Sequence, residues 1–380
     1  MFKNYFKTVL RVFTRNKAFA SINVLGLSIG ISAALVIFLI VQYEFGYDKI
    51  ETDNNRIYRV VMDFKFNGNE GHSAAVPAPL SAAIHKEITG VEATVPVMLF
   101  QGDGTAKASI KRDGSSQPVA FKKQPGIVFT APQYFSMLPY HWVAGTPESS
   151  LKNPFNVVLT ESRAKQYFPS TKINDIIGKQ INYNDDFTAA VSGIVNDLDA
   201  RTSFNGVEFI SFATIAQTHM QDDFMMNTWN DWMAYSQVYV KLLKGTNPAN
   251  TEALLAALLN KYNKDANKDA ANTMRFHLQP LQDVHFDGLY AIFYQRLAHK
   301  PTLYGLLAVA AFLLLLACIN FINLTTANAS QRAKEIGIRK TMGSSRKQLV
   351  FQFLNETFML TVIATLLSVV LTPFILNAFV

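Results

Sequence analysis

Three stretches of this chain carry no charged side chain: Ala18 to Tyr43, Pro301 to Gln331, and Thr357 to Val380. About 20 consecutive apolar residues suffice for a helix to cross a bilayer. The pattern therefore predicts spanning helices over 18–43, 301–327 and 349–380. Between the first two lies a region, 44–300, of ordinary soluble character. Arg56 to Phe66 alternates like a strand, and Pro79 to Ile88 reads as a short helix. Val157 to Phe168 predicts a strand ending at a Thr160 cap, followed by a helix with Ser162, Lys165 and Gln166 outward. Lys179–Tyr183 and Ala189–Val195 form a hairpin pattern around Asn184–Asp185–Asp186. Asn250 to Tyr262 predicts an amphipathic helix capped by Asn250 or Thr251, with Leu254, Leu255, Leu258 and Leu259 on one stripe. Met274 to Leu281 returns as a strand, and 102–104 and 113–116 read as turns or exposed loops. The fold class expected is membrane α-helical plus α/β: three transmembrane helices, with a large mixed α/β extracytoplasmic domain of one or two lobes between the first and second.

Charge fixes the direction of threading. The net charge of +7 and pI near 9.2 invite a nucleic-acid reading. Sorted by segment, residues 1–43 carry +5, residues 44–300 carry −2 and residues 301–380 carry +4. The excess sits in two short pieces beside apolar runs, which points to topology and argues against nucleic acid. The positive-inside rule places a basic N-terminus (1–17) and a loop (328–348) inside, and 44–300 outside. A cleaved signal peptide is disfavoured: the first run exceeds a 7–15-residue apolar core, and no A-x-A site follows at Glu44–Tyr47. The apolar fraction of 49% excludes a disordered chain, and a single cysteine excludes a disulfide framework or a multi-cysteine metal site.

Candidate chemistry is sparse. Gly26-Leu-Ser-Ile-Gly30 matches the G-x-S-x-G elbow pattern, but inside an uncharged run with no base near it. Gly26, Gly30 and Ala34 recur every four residues, a spacing that permits close helix approach or is the ordinary small-residue content of a membrane helix. Asp283, His285 and Asp287 alternate, so on a strand they would share a face and either ligate a metal or remain a solvated edge. Trp229, Trp232 and Tyr235 form an i, i+3, i+6 aromatic set, either a ligand surface or local core. The G-K pair Gly178–Lys179 lacks the rest of a phosphate loop, so ATP binding by this chain alone is not expected. No catalytic residue, cofactor or metal is assigned.

The loop after the second span is the most informative stretch. Ala329, Ala333 and Ile336 fall on one helical face, and Arg332, Glu335 and Arg339 on the other. Gly343 is placed as a helix C-cap, and Ser344 or Ser345 can cap the next helix. This predicts a short charged helix inside the cell. A basic helix lying on anionic lipid is the alternative, but Glu335 and the few large apolar residues favour a protein contact. Glu356 falls one to two turns into the third span, where a charge is expensive unless paired or wetted; it either joins a cation or another helix, or snorkels to the interface.

The run Arg332-Ala-Lys-Glu-Ile-Gly-Ile-Arg-Lys-Thr-Met-Gly-Ser-Ser-Arg346, followed by Gln352-Phe-Leu-Asn-Glu356, resembles the hallmark of FtsX/MacB-type ABC transporter permeases. Asn16 to Gly30, Tyr47–Asp48 and Arg56-Ile-Tyr-Arg-Val60 are similar to the same family. So are Tyr134–Phe135, Ala144–Gly145, Val158 to Lys165, Ile177 to Lys179 and Val191 to Gly193 of its MacB-like periplasmic core domain. The Ala/Phe-rich style resembles Bacteroidetes members. The resemblance implies a non-catalytic permease subunit in the bacterial inner membrane, multi-pass, with a cytoplasmic N-terminus and a periplasmic domain. It implies a separate or fused ABC ATPase whose motion the permease transmits, for export or mechanotransmission of antimicrobial, peptide or lipoprotein cargo. By position it assigns Arg332, Lys334, Glu335, Gly337, Arg339, Lys340, Gly343 and Arg346 to ATPase coupling, and Glu356, Gly26 and Gly30 to transmission within the membrane. Further partners implied are a second permease copy or half and a periplasmic adaptor or outer-membrane component. Family units have four membrane helices, so a chain ending with the third is expected to be truncated or the front of a longer permease. The reading from another class is a membrane receptor with an external ligand-binding domain, which would require a cytoplasmic output domain.

Overall fold

A computed structural model describes residues 17–49, 53–100, 105–112, 117–198, 201–267, 271–291 and 296–379. The chain divides into two compact units, Met1–Phe45 with Lys300–Val380, and Gly46–His299. In chain order the longer helices are α1 (Lys17–Phe45), α2 (Leu80–Glu87), α3 (Glu161–Tyr167), α4 (Pro248–Tyr262), α5 (Lys300–Ala327), α6 (Ala329–Thr341) and α7 (Arg346–Phe379). The strands are β1 (Ile57–Phe66), β2 (Asn69–Ser73), β3 (Val91–Leu99), β4 (Ala108–Ile110), β5 (Val119–Phe121), β6 (Ile127–Thr130), β7 (Trp142–Ala144), β8 (Asn156–Thr160), β9 (Gln180–Tyr183), β10 (Phe187–Val195), β11 (Glu208–Ser211), β12 (Ser236–Leu242) and β13 (Thr273–Pro280).

In the first unit α1, α5 and α7 are each long and apolar enough to cross a membrane. Helices bond their backbone groups within the segment, as a spanning element must; α7 departs from this at Pro373, which lacks an N–H. The small residues of α1 bring it against its neighbours: Ala20, Val24 and Leu27 pack with Ala317 of α5 and with Leu360 and Ala364 of α7.

The second unit is built on one mixed sheet. Among the described residues its strands run β13-β1-β12-β3-β6-β11-β8-β10-β9-β4-β5, with β2 added to β1 and β7 to β10. β11 pairs parallel with β6, and β10 parallel with β8; the remaining pairs are antiparallel. At one end α2 and α4 cover β1, β12 and β13 through Leu80, Ile84, Leu255, Leu258 and Leu259. At the other, α3 covers β8 and β10 through Ala164 and Tyr167. A third core, rich in aromatics, gathers Tyr134, Phe135, Tyr140 and Phe209.

Most of the sequence-predicted elements recur within a residue or two. Thr160 caps α3 by accepting from the Arg163 amide, and Asn184 and Asp185 turn the β9–β10 hairpin with positive φ, a conformation Asn and Asp tolerate. Three expectations are corrected. α4 begins two residues before Asn250: Asn247 is the cap, its side chain accepting from Ala249, and Pro248 takes the first position, where its missing N–H costs nothing. Leu254 leaves the buried stripe and is 40% exposed, its place taken by the buried Thr251. Asp283, His285 and Asp287 do not alternate on a strand, because the strand ends at Pro280 and Leu281–Val284 forms a helical turn. The loops at 101–104 and 113–116 lie outside the described residues.

Candidate functional site

The sequence points to two places, the helix after the second span and the contacts among the spans. α6 follows α5 after Asn328 and is closed by a reversal at Gly343. The Gly343 amide donates to the Lys340 carbonyl at 3.2 Å and the Ser344 amide to the Arg339 carbonyl at 3.1 Å. Gly343 has φ +94°, a left-handed conformation that a β-carbon disfavours. Of the two candidate caps for the next helix, Ser345 is the one used. The Gln348 amide donates to its hydroxyl at 3.4 Å, while the Ser345 amide donates to the Gln348 Oε1 at 3.0 Å. This reciprocal capping box starts α7 at Arg346.

On α6, Gly337 and Lys340 are exposed and Arg339 is half-buried. Arg332, Lys334 and Glu335 lie on the α6 backbone, with their side chains outside the described set. The structure adds two residues that the sequence reading missed. Ile338 is 57% exposed and Met342 82% exposed, four positions apart and so on one face. Their i, i+4 spacing was the available signal.

In the spans, Gly30 does what its spacing suggests. A β-carbon there would lie 2.6 Å from the Ala317 Cβ of α5, so only glycine allows this approach. Gly26 is less tight, its added β-carbon meeting the Asn320 side chain at 3.4 Å. Ser32 donates to its own helix at the Ser28 carbonyl (2.7 Å) and across to the Ser368 carbonyl of α7 (3.2 Å). Ser28, the centre of the elbow-like motif, is buried in mid-helix and donates to the Leu25 carbonyl at 3.0 Å, so no nucleophile elbow exists. Glu356 is 9% exposed on α7.

Within the sheet domain, two of the family-like stretches meet the Asp283–Asp287 segment. Tyr47 stacks on His285 with ring centroids 3.6 Å apart. Asp48 is fully buried; it accepts from the Ser203 amide at 2.7 Å and from the hydroxyls of Ser203 and Thr202. Burial holds its carboxyl above the usual range, against the opposing pull of these donors. Arg59, also fully buried, donates to Gln279 Oε1 and to the Tyr290 carbonyl, and burial lowers its pKa. Gln279 in turn donates to Asp287. His285 and Asp287 are thus parts of a packed polar junction, and among the described residues no group of three potential ligands is placed to hold a metal. The aromatic set also separates: Trp229 stacks on Tyr262, Trp232 meets Phe64, and Tyr235 meets Phe224. Trp229 and Trp232 close the core under α2 and α4, and Tyr235 closes the core on the α3 side.

Comparison with known proteins agrees with this arrangement. A family model described as the MacB-like periplasmic core domain matches residues 20–258, and the FtsX-like permease C-terminal model matches residues 307–379. The chain is an FtsX/MacB-type ABC transporter permease. This permease is 25% identical over 241 residues to the macrolide export ATP-binding/permease protein MacB of Campylobacter jejuni, an alignment covering 60% of this chain and 32% of that protein. The chain thus spans about a third of the length of that curated relative. It is 37% identical over 62 residues to an uncharacterised ABC transporter permease, YknZ, of Bacillus subtilis, covering 16% of each chain. Among solved structures, a domain from a Porphyromonas gingivalis protein described as a permease shares 19% identity over 68% of this chain and 98% of its own, with a TM-score of 0.48. The periplasmic region of MacB from Actinobacillus actinomycetemcomitans shares 15% over 59% and 89%, with a TM-score of 0.35. Three apolar helices and this membership make the chain a membrane protein.

Proposed function

We propose that this permease subunit couples ATP hydrolysis by a partner ABC ATPase to a conformational change of its sheet domain, with α6 as the docking helix. The observation that carries the reading is the surface of α6: Ile338 and Met342 stand exposed on one face, beside Arg339 and Lys340, on a helix joined directly to a span. An apolar pair with flanking cations suits a protein groove better than water. The coupling set is Arg332, Lys334, Glu335, Gly337, Arg339, Lys340, Gly343 and Arg346, with Gly26, Gly30 and Glu356 on the path through the spans. The basic flanks of the spans support a cytoplasmic N-terminus and 328–348 loop, and a periplasmic domain at 44–300. ATPase activity resides on the partner, a second copy or half completes the permease, and an adaptor or outer-membrane component receives the motion. The work done is export, as the name of the Campylobacter relative suggests, or mechanotransmission.

Co-purification from membranes tests this. The full chain should bring down an ABC ATPase, and Glu335→Ala with Arg339→Ala, or Met342→Asp alone, should abolish that association while leaving the chain in the membrane. Undiminished ATPase recovery with all of these variants would overturn the docking assignment.

A further inference from the structure

Glu208 opens β11 and is completely buried. Its register neighbours are apolar, Ile127 on β6 and Leu159 on β8. One carboxyl oxygen accepts from the Tyr167 hydroxyl at 3.2 Å; the other has no hydrogen-bond partner, and neither has the buried hydroxyl of Tyr183 on β9. The nearby cation is Arg163 of α3, 5% exposed, but its guanidinium is committed elsewhere. It donates to Gln124 Oε1, to the Pro125 carbonyl at 2.7 Å and to the Tyr167 hydroxyl at 3.2 Å. Tyr167 therefore stands between cation and carboxyl, receiving from one and donating to the other.

The titratable groups facing Glu208 from the packed elements are, among the described residues, Arg163 and Tyr167 of α3 and Tyr183 of β9. Desolvation pushes the Glu208 carboxyl up to about 7, Arg163 and the Tyr167 hydrogen bond acting against it. In its neutral form the carboxyl is tolerable with one partner. In its ionised form it is a charge in an apolar core with one oxygen unpartnered; a hydroxyl such as that of Tyr183 can supply a hydrogen bond, but only the guanidinium supplies the opposite charge. The guanidinium cannot turn to Glu208 and keep its bonds to Gln124 and Pro125, since its donors form a fixed fork.

We propose that Glu208, Tyr167 and Arg163 form a proton-operated switch. With Glu208 neutral, Arg163 and Gln166 hold the Gln124–Pro125 segment against α3; loss of the proton draws the guanidinium to the carboxylate and loosens that segment, leaving it on Gln166 and the Ala106 carbonyl. The loosened segment leads straight into β6, where the Gly126 carbonyl accepts from the amides of Val207 and Glu208. The switch lies within the sheet domain and does not depend on how α6 is used. Its sign follows from the raised carboxyl. The stabilisation is full below the unfolded value of about 4.5 and is lost as pH rises through about 7.

Amide hydrogen exchange on the full chain in detergent micelles tests this. After correction for intrinsic rates, peptides covering 122–128 should lose protection about tenfold between roughly pH 5.5 and 8.5, while β12 peptides do not change. Glu208→Gln, neutral at every pH, should keep the protection throughout. An unchanged wild type, or an equal loss in the Gln variant, overturns the switch. Should Glu208→Gln fail to fold, Tyr167→Phe serves. It removes the one donor to the carboxylate, so the transition should move to higher pH, and a transition that stays in place overturns the proposal.

Discussion

In the sheet domain Phe129, Phe209 and Phe276 are buried to within 1%, whereas in the helical unit Phe312, Phe358 and Phe374 are 57%, 62% and 70% exposed. Among the described residues, the fully buried positions of the helical unit are instead small and hydroxylic, as at Ala20, Ser32, Ala364 and Ser368, with Val24, Leu27 and Leu360 packed around them. The same residue types have exchanged places because the solvents differ. Water drives large apolar side chains inward, at about 25 cal/mol per Å² of apolar surface buried. Lipid exerts no such drive between helices, so their contacts are chosen by how closely backbones approach.

The largest effect is expected at Phe209, which packs against Tyr134, Phe135 and Tyr140. Phe209→Ala should cost about 3–5 kcal/mol, read from denaturation of the full chain in micelles. Leu366→Ala, at a position 64% exposed on α7, should cost less than about 0.5 kcal/mol in the same assay. A large loss at Leu366 would mean that protein, not lipid, covers that face. Next in size is Gly30→Val, which should destabilise the α1–α5 contact by about 1–3 kcal/mol through overpacking against Ala317. Ala317→Gly in the same chain should recover part of that loss, and a purely additive pair would refute the contact. A smaller effect than at Gly30, though larger than at Leu366, is expected at the α7 cap. Ser345→Ala removes half of the capping box and should cost about 1 kcal/mol, seen as faster exchange of the Gln348 amide with the rest of α7 unaffected.

Much of this architecture is legible in the sequence where the signal is local. Uncharged runs mark the three long apolar helices, alternation marks β1, and a Thr cap marks α3. Gly343 marks the end of α6. The same local logic failed at Asp283, His285 and Asp287, where alternation continues in the sequence after the strand has stopped. It also places the α4 cap at Asn250 or Thr251 where the structure uses Asn247, since each is a plausible capping residue and only backbone geometry distinguishes them. Within the candidate site, Gly30 was found by its period of four, but Ile338 and Met342 were passed over because an exposed apolar pair looks no different in sequence from a buried one.

What the sequence determined by itself was the division of the chain: which segments enter lipid, which remain in water, and where a charged helix lies between two spans. These follow from composition over windows of tens of residues, because transfer free energies add along a segment. Tertiary structure alone decided which polar groups are buried. Arg59 and Arg163 sit in stretches that read as ordinary strand and helix, and the residues beside Asp48 and Glu208 carry no mark that either carboxyl is buried. The burial and partners of all four come from strands and loops more than 35 residues away, such as Gln279 for Arg59, Ser203 for Asp48 and Gln124 for Arg163. A charge is desolvated by whatever packs over it, and that depends on sheet order, not on sequence neighbours.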